Sequence, residues 1–364
     1  MTMTKPTIEL LNISSELKKL WDAKQGENKI RASLFTFILY VEKGERLSYY
    51  QNLVKTVISK LPCRVIFIQV DEKGEALKSC VTSETMGEGA KQIYCEKIEI
   101  NVGEKLLPRI PSLILPHLLP DLPVYLLWTK DPAAQSSLLR LIEPIAERIL
   151  FDADSTEDLQ SYARSVLSSL TQFHCQIGDL NWSATSGWRE VIEQVFNSPE
   201  AFSSLRETKR IRIHYNKKIG SGSQHSEIKA AYLQAWIASR LNWKFQTIEL
   251  IEGNVRLSYR KPSRDVVVLL QSEEVSTLPP GAILSIEIES SQEEEHYNFK
   301  RHPETSQAFI QYSTAKQCDL PYSLPLAHIK EGEEIVKEVF NPSTGVHYRE
   351  MLEVISEIPW RNAP

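Results

Sequence analysis

Apolar positions recur along the chain in two rhythms, and the change from one to the other divides it. In the first half, unbroken apolar runs alternate with helical stripes. Leu34 to Val41 (LFTFILYV) is β-rich with no period of two, as expected of a strand buried on both faces. Leu47, Tyr50, Leu53, Val54, Val57 and Ile58 then fall on one helical stripe that Pro62 ends. Cys63 to Val70 is a second apolar run. Strand, helix and strand in that order predict a parallel βαβ unit. Ile8 to Lys24 carries a helical stripe ahead of it. Lys78 to Thr82 reads as a short strand, and Gln92 to Val102 alternates like an edge or half-exposed strand.

The segment from Pro108 to Trp128 (PRIPSLILPHLLPDLPVYLLW) organises this half. Leu113 to Leu119 predicts a helix that Pro120 stops. Pro120-Asp121-Leu122-Pro123 predicts a rigid corner, with Asp121 hydrogen-bonding locally. Val124 to Trp128 predicts a central strand, with Pro123 at the entry, where a missing N–H costs least. Ser136 to Ile145 is a helical stretch and Arg148 to Asp152 a strand. A helix to about His174 follows, with Ser155 as its cap and Asp158 in its first turn. Residues 1–175 therefore predict a Rossmann-like layered α/β domain.

The second half opens with helical Trp188 to Phe196, an alternating strand at Lys209 to Tyr215, and an amphipathic helix at Ser226 to Leu241. Short strands then crowd together at Phe245 to Ile251, Val255 to Arg260, Val266 to Gln271, Ile283 to Glu289, Tyr297 to Arg301 and Ala308 to Thr314. Gly253-Asn254 and Pro279-Pro280-Gly281 are turn signals between them. Such spacing predicts an antiparallel strand meander, closed by helices at Glu331 to Phe340 and His347 to Ile358. Residues 176–364 thus predict an α+β domain, with the boundary near Gln176.

Composition narrows the function classes. At 364 residues with 42% hydrophobic and 24% charged positions, the chain can bury two cores. Its net charge of −5 is the wrong sign for a general nucleic-acid binder. No apolar run reaches membrane-spanning length, and the first residues lack the layout of a signal peptide. Five cysteines, at 63, 80, 95, 175 and 318, form no C-x-x-C pair, which points to reduced thiols in a cytoplasmic protein.

Candidate chemistry is sparse. Lys217-Lys218-Ile219-Gly220-Ser221-Gly222-Ser223 precedes a helix. Free N–H groups at a helix start, flexible glycines and two lysines make an anion site, with His225 at the helix entry. The loop is neither a Walker loop nor the dinucleotide fingerprint, since Gln224 and His225 stand where a third glycine is required. As a surface loop it would instead supply Ser223 or Ser226 as the cap. Asp152 and Asp154 follow a strand, where a carboxylate pair can bind a metal, act as acid and base, or cap a helix. His174 and His214 lie outside any metal-ligand spacing. No nucleophile elbow or Cys/His signature is present, and no cofactor is expected.

The words of the sequence carry a resemblance. Leu118-Leu119-Pro120-Asp121-Leu122-Pro123-Val124-Tyr125-Leu126-Leu127-Trp128 resembles the signature of the OpcA family, the glucose-6-phosphate dehydrogenase assembly proteins. Leu61-Pro62-Cys63-Arg64-Val65-Ile66 resembles the family's His-Pro-x-Arg-Val-Ile, with Leu61 for His. Asp179-Leu180-Asn181-Trp182 and Gly187-Trp188-Arg189-Glu190 resemble its Asp-Leu-x-Trp and Pro-Trp-Arg-Glu. Ala231 to Trp243 resembles its helix ending in Arg-Leu-Gly-Trp, with Asn242 at the Gly position. The resemblance implies a non-enzymatic partner of glucose-6-phosphate dehydrogenase, the entry enzyme of the oxidative pentose phosphate pathway. It makes Asp121, Trp182 and Arg189, with Trp128 and Trp188, candidates for supporting the partner-binding surface. The competing reading is a sugar-phosphate or nucleotide-binding enzyme that uses Lys217, Lys218, Gly220, Gly222, Ser223 and His225.

Overall fold

The structure is a computed structural model describing residues 12–23, 30–44, 46–86, 92–134, 136–217, 225–261, 264–291, 294–302, 304–327, 333–340 and 345–360. The chain forms two compact units, Met1–Ser155 with Ser169–Leu180 and Lys330–Pro342, and Thr156–Ser168 with Asn181–Ile329 and Ser343–Pro364. It therefore passes between the units several times, where the sequence suggested one boundary near Gln176.

The first unit is built on β1 (Ile30–Arg31), β2 (Thr36–Glu42), β3 (Arg64–Asp71), β4 (Leu77–Met86), β5 (Ile93–Gly103), β6 (Val124–Trp128), β7 (Arg148–Phe151) and β8 (Gln176–Asp179). The parallel strands run β1-β5-β3-β2-β6-β7-β8, and β4 pairs antiparallel with β5. This is the order of a Rossmann-like doubly wound sheet, with its switch point between β2 and β6. The helices, in chain order, begin with α1 (Ile13–Asp22), α2 (Leu47–Lys60), α3 (Ile110–Ile114), α4 (Ser137–Ile142) and α5 (Leu159–Gln172). They continue with α6 (Leu180–Ala184), α7 (Ser186–Val195), α8 (Pro199–Arg206), α9 (Ile228–Arg240), α10 (Glu333–Phe340) and α11 (Val346–Glu357). Helix α2 buries Tyr50, Leu53, Val54 and Val57 in one core with Phe37, Leu39, Val65 and Phe67 of the sheet.

Several expectations change in this unit. The helix expected at Leu113 to Leu119 is broken into 3-10 turns at Glu104–Arg109 and Leu115–His117 around the short α3. Pro108, Pro111 and Pro116 each remove a backbone donor, so the α-helical ladder cannot run through. Strand β5 is interior rather than half-exposed, burying Cys95, Ile98, Ile100 and Val102, while β4 takes the edge. Its polar alternates survive there through ion pairs such as Lys97–Glu99 at 2.7 Å. Helix α10, from the end of the chain, returns to this unit. Its Ile335 joins the core, and its fully buried Glu338 pairs with Arg148 of β7 at 3.5 Å. The approach is close: a Cβ on Gly178 would lie 3.0 Å from the Glu338 carboxylate.

The second unit holds β9 (Thr208–Asn216), β10 (Lys244–Ile251), β11 (Asn254–Arg260), β12 (Asp265–Glu273), β13 (Ile283–Ser290), β14 (His296–Arg301), β15 (Gln307–Ser313) and β16 (Tyr322–Pro325). They lie in the order β10-β11-β12-β9-β13-β14-β15-β16. The antiparallel meander is present, but β9 is inserted at its centre, parallel to β12 and antiparallel to β13. One face buries Ile211, Ile213, Leu257, Val268, Ile286 and Phe299. Helix α9 ends in a Schellman closure: Trp243 N–H donates to Ala238 O at 2.9 Å, and Asn242 N–H to Ser239 O at 3.2 Å. Asn242 itself has φ +58°, which explains physically why a glycine suits that position. Among the described residues no helix is long and apolar enough to cross a membrane.

Candidate functional site

Doubly wound sheets place ligands beyond the carboxyl ends of their strands, at the switch point. Here side chains at the strand ends contact one another. Tyr40, near the end of β2, stacks on Trp128, the last residue of β6, with ring centroids 4.0 Å apart and planes at 21°. Thr129 Oγ1 donates to Tyr40 O at 2.8 Å, and Lys130 Nζ to Glu42 at 2.6 Å. Beyond β7, Asp152 accepts from Arg46 Nη2 at 2.9 Å and from the Tyr50 hydroxyl at 2.8 Å, and Arg46 reaches Asp154 at 3.1 Å. Burial pulls the Arg46 guanidinium down, but Asp152, Tyr50 and Asp154 outweigh it, so Arg46 is held firmly charged. Burial, then Asp152, pushes the Tyr50 phenol well above its ordinary range.

The first strand-to-helix turn, Glu42-Lys43-Gly44-Glu45-Arg46, has one glycine and no fingerprint. Helix α2 starts at Arg46 with no side-chain cap bond. A pyrophosphate placed here would meet Glu42, Asp152 and Asp154. These contacts tie the end of β2 to that of β6, and the start of α2 to the end of β7. Asp152 and Asp154 share Arg46 as an ion-pair partner, and capping falls elsewhere: the Asp158 carboxylate accepts from the Ser161 N–H at 3.2 Å and its hydroxyl at 2.5 Å. Ser155, the expected cap, instead donates to Asp152 O at 2.6 Å. No cluster of three or more His, Cys, Asp or Glu able to hold a metal occurs among the described residues.

The corner before β6 has different character. Leu122 N–H closes a turn on Leu119 O at 3.4 Å, with Pro120 first and Asp121, at φ +63°, second. That is a type II arrangement, whose second position normally takes glycine. The Asp121 carboxylate is exposed and, among the described residues, makes no hydrogen bond or ion pair, so it does not shape the turn as expected. It borders an open cleft of about 430 Å³ lined by Leu122, Pro123, Val124, Pro144 and Glu147. A backbone conformation unfavourable to aspartate is kept while its carboxylate does no internal work.

Trp128, Trp182, Trp188 and Arg189 are placed differently: all four are buried. Arg189 lies over the Trp182 ring, 3.5 Å from its centroid, and donates to Trp182 O at 2.7 Å and Thr185 Oγ1 at 2.6 Å. Trp182 lies 5.6 Å from Tyr348, and Arg301 covers Trp188 at 5.5 Å. As placed, Trp182, Trp188 and Arg189 hold α6, α7 and their neighbours, and Trp128 packs on Tyr40 of β2; all four are interior side chains. Gly187 sits where a Cβ would come within 3.3 Å of Leu326.

The loop proposed as an anion site lies mostly outside the described residues, namely Lys218, Gly220, Gly222 and Ser223. Lys217 is exposed, and its N–H donates to Glu273 O at 2.7 Å. Helix α9 starts from Glu227 without a side-chain cap bond, so Ser226 is not its cap. His225 faces Glu227 at 3.4 Å, and His214 faces Glu273 at 2.5 Å. A carboxylate at the helix entry opposes an anion there. His174 is a surface residue, its side chain 95% exposed. Cys63 and Cys95 are neighbours in the core, their thiols pushed up by burial, whereas Cys80 and Cys318 are exposed.

Comparison with known proteins gives two matches that follow one another. Residues 54–168 match the family described as glucose-6-phosphate dehydrogenase subunit N-terminal domain, and residues 175–352 the corresponding C-terminal domain. The chain belongs to the OpcA family. Relatives named for the OxPP cycle include OpcA of Synechocystis sp. (29% identical over 200 residues, 53% of this chain and 40% of the relative) and of Nostoc punctiforme (27% over 208 residues, 56% and 41%). The chain thus spans about two fifths of the length of the curated OpcA relatives it matches. Among solved structures, a mutant of KijD10, a 3-ketoreductase from Actinomadura kijaniata, matches with TM-score 0.51 and 11% identity over 89% of this chain and 96% of that one. An oxidoreductase from Sinorhizobium meliloti matches with TM-score 0.50 and 8% identity over 91% and 98%. At such identities the likeness concerns the fold alone.

Proposed function

We propose that this OpcA-family protein is a non-catalytic partner of glucose-6-phosphate dehydrogenase in the oxidative pentose phosphate pathway. It binds the dehydrogenase and stabilises its active oligomeric state. The observation that carries the reading is the switch point: where a doubly wound sheet would host a cofactor, the side chains bond to one another, Lys130 to Glu42 and, separately, Arg46 and Tyr50 to Asp152, with Arg46 also reaching Asp154. A protein that performs no turnover acts by preferential binding. If it favours the active assembly tenfold, it moves that equilibrium by about 1.4 kcal/mol.

The contact falls on the corner before β6, with Asp121 as a direct anionic contact. Trp128 positions that corner through its stack on Tyr40. Arg189, Trp182 and Trp188 act as positioning residues, fixing α6 and α7 beneath whatever surface the second unit offers. The test is light scattering of the dehydrogenase alone and with this protein. A larger, stoichiometric complex enriched in the active assembly is expected; two unperturbed species sink the proposal.

A further inference from the structure

The two edges of the second unit's sheet are unlike. Strand β16 has only four residues, Tyr322–Pro325, with prolines at Pro321 and Pro325. Prolines and short length are how natural sheets blunt an edge. Strand β10, at the other edge, has eight residues and no proline. Among the described residues nothing pairs with its outer side. A register shift between Phe245 and Thr247 bends its start, leaving Thr247 to Ile251 as a straight run.

The bonding pattern of that run follows from its turn. Ile251 pairs with Asn254 across the two-residue turn Glu252-Gly253, whose φ values are +51° and +77°. In such a hairpin the closing pair exchanges both hydrogen bonds, and alternate residues point their N–H and C=O away. Ile248 and Leu250 therefore aim their backbone groups outward. Their side chains lie on the core side of the sheet, opposite Leu257 and Val255, which are buried. Leu250 is nevertheless 47% exposed. An unfinished core and a row of free backbone groups coincide.

We infer that β10 accepts an added antiparallel strand from a protein partner, an extended segment with apolar residues on the core side and a lysine or arginine opposite Glu249. Glu249 lies on the other face, 3.6 Å from Arg256 and half exposed. It selects the occupant by charge. A second copy of this chain centred on the straight run would set Glu249 against Glu249, and like charges directly opposite destabilise a pair. A basic residue at that position is attracted instead.

The test uses the full chain and a synthetic peptide, acetyl-Val-Thr-Val-Lys-Val-Thr-Val-amide, whose valines share the core side when its Lys is opposite Glu249, titrated by surface plasmon resonance. Saturable binding is expected, weakened at least tenfold when its Lys is replaced by Glu. Ile248→Pro removes one outward N–H and leaves the bonds to β11 in place, so it is tolerated as edge prolines are. It should abolish binding with an unchanged circular dichroism spectrum. Glu249→Lys should reverse the peptide preference, a check independent of any effect of proline on folding. Equal binding by both peptides, or no saturable binding, overturns the inference. So does a wild-type dimer that Ile248→Pro dissociates, because the occupant is then a second copy.

Discussion

Replacing Asp121 by asparagine separates what the corner does for the fold from what it does for a partner. Asparagine has nearly the same shape and tolerates positive φ as well as aspartate does, so the turn at φ +63° survives and only the charge is lost. The carboxylate makes no internal bond among the described residues, so stability should stay within roughly 0.5 kcal/mol of wild type. Asp121→Gly relieves the left-handed strain but loosens the unfolded chain, and the two effects of about 1 kcal/mol nearly cancel. Asp121→Ala gains neither advantage and should cost about 1 kcal/mol, a fall in Tm of roughly 2–4 °C for a unit of this size. Stability thus ranks asparagine and glycine with wild type, and alanine below. Function should not follow that order. If the carboxylate meets a cation on the dehydrogenase, all three variants lose the same contact, and affinity falls about tenfold, or roughly 1.4 kcal/mol. Calorimetry gives the first ranking, and titration of the dehydrogenase gives the second. Asparagine and glycine variants that activate like wild type would refute the contact. Activation that merely tracks stability would assign the corner to scaffolding.

Other consequences follow from the packing. Glu338→Ala strands the buried Arg148, leaving it only the Glu338 backbone carbonyl and Gln176; the first unit should lose about 3 kcal/mol in urea unfolding, much of it regained with Arg148→Met and Glu338→Leu together. Asn242→Gly should raise the second unit's stability by about 0.5 kcal/mol, read from its thermal transition. Alkali should weaken the fold in two steps: burial, then Glu143, pushes Cys175 from 9.0 up to about 11, and burial, then Glu227, pushes Tyr215 from 10.0 up to about 12. Both values are raised, so the stabilisation is complete below the unfolded values and lost as pH climbs through the folded ones. Denaturant midpoints from pH 7 to 11 measure the fall. Iodoacetamide should label Cys80 and Cys318 in the native protein, and Cys63 and Cys95 only on unfolding.

Much of the fold was legible because its signals are local. The apolar runs at β2, β3 and β6 have no period of two, and each is indeed buried on both faces. The strand-helix alternation announced the doubly wound sheet, and Pro120-Asp121-Leu122-Pro123 announced its corner. What stayed hidden depends on partners distant in sequence. Nothing in Lys209 to Tyr215 tells that β9 will sit between β12 and β13, because pairing is decided by neighbours more than fifty residues away. Likewise Ile335 and Glu338 read as a closing helix of the second half, yet their core lies in the first unit. Strand β5 alternates polar and apolar residues, the pattern of an edge or half-exposed strand; the ion pair of Lys97 with Glu99 lets it run inside. For the site, sequence words picked out Arg189 and Trp182 but not their burial, since a cation stacked on an indole and an exposed anchor carry the same letters. Asp121 in a Pro-Asp-Leu-Pro corner predicts a local hydrogen bond, and among the described residues its exposed carboxylate makes none.

On the proposed function this chain alters the dehydrogenase's behaviour and converts nothing itself. The most direct measurement is the initial rate of glucose-6-phosphate oxidation by the dehydrogenase at fixed concentration, titrated with this protein. A saturable rise in kcat/KM, with no turnover by this protein alone, is the predicted result. A flat titration, together with conversion of a phosphorylated sugar by this protein on its own, would contradict the account.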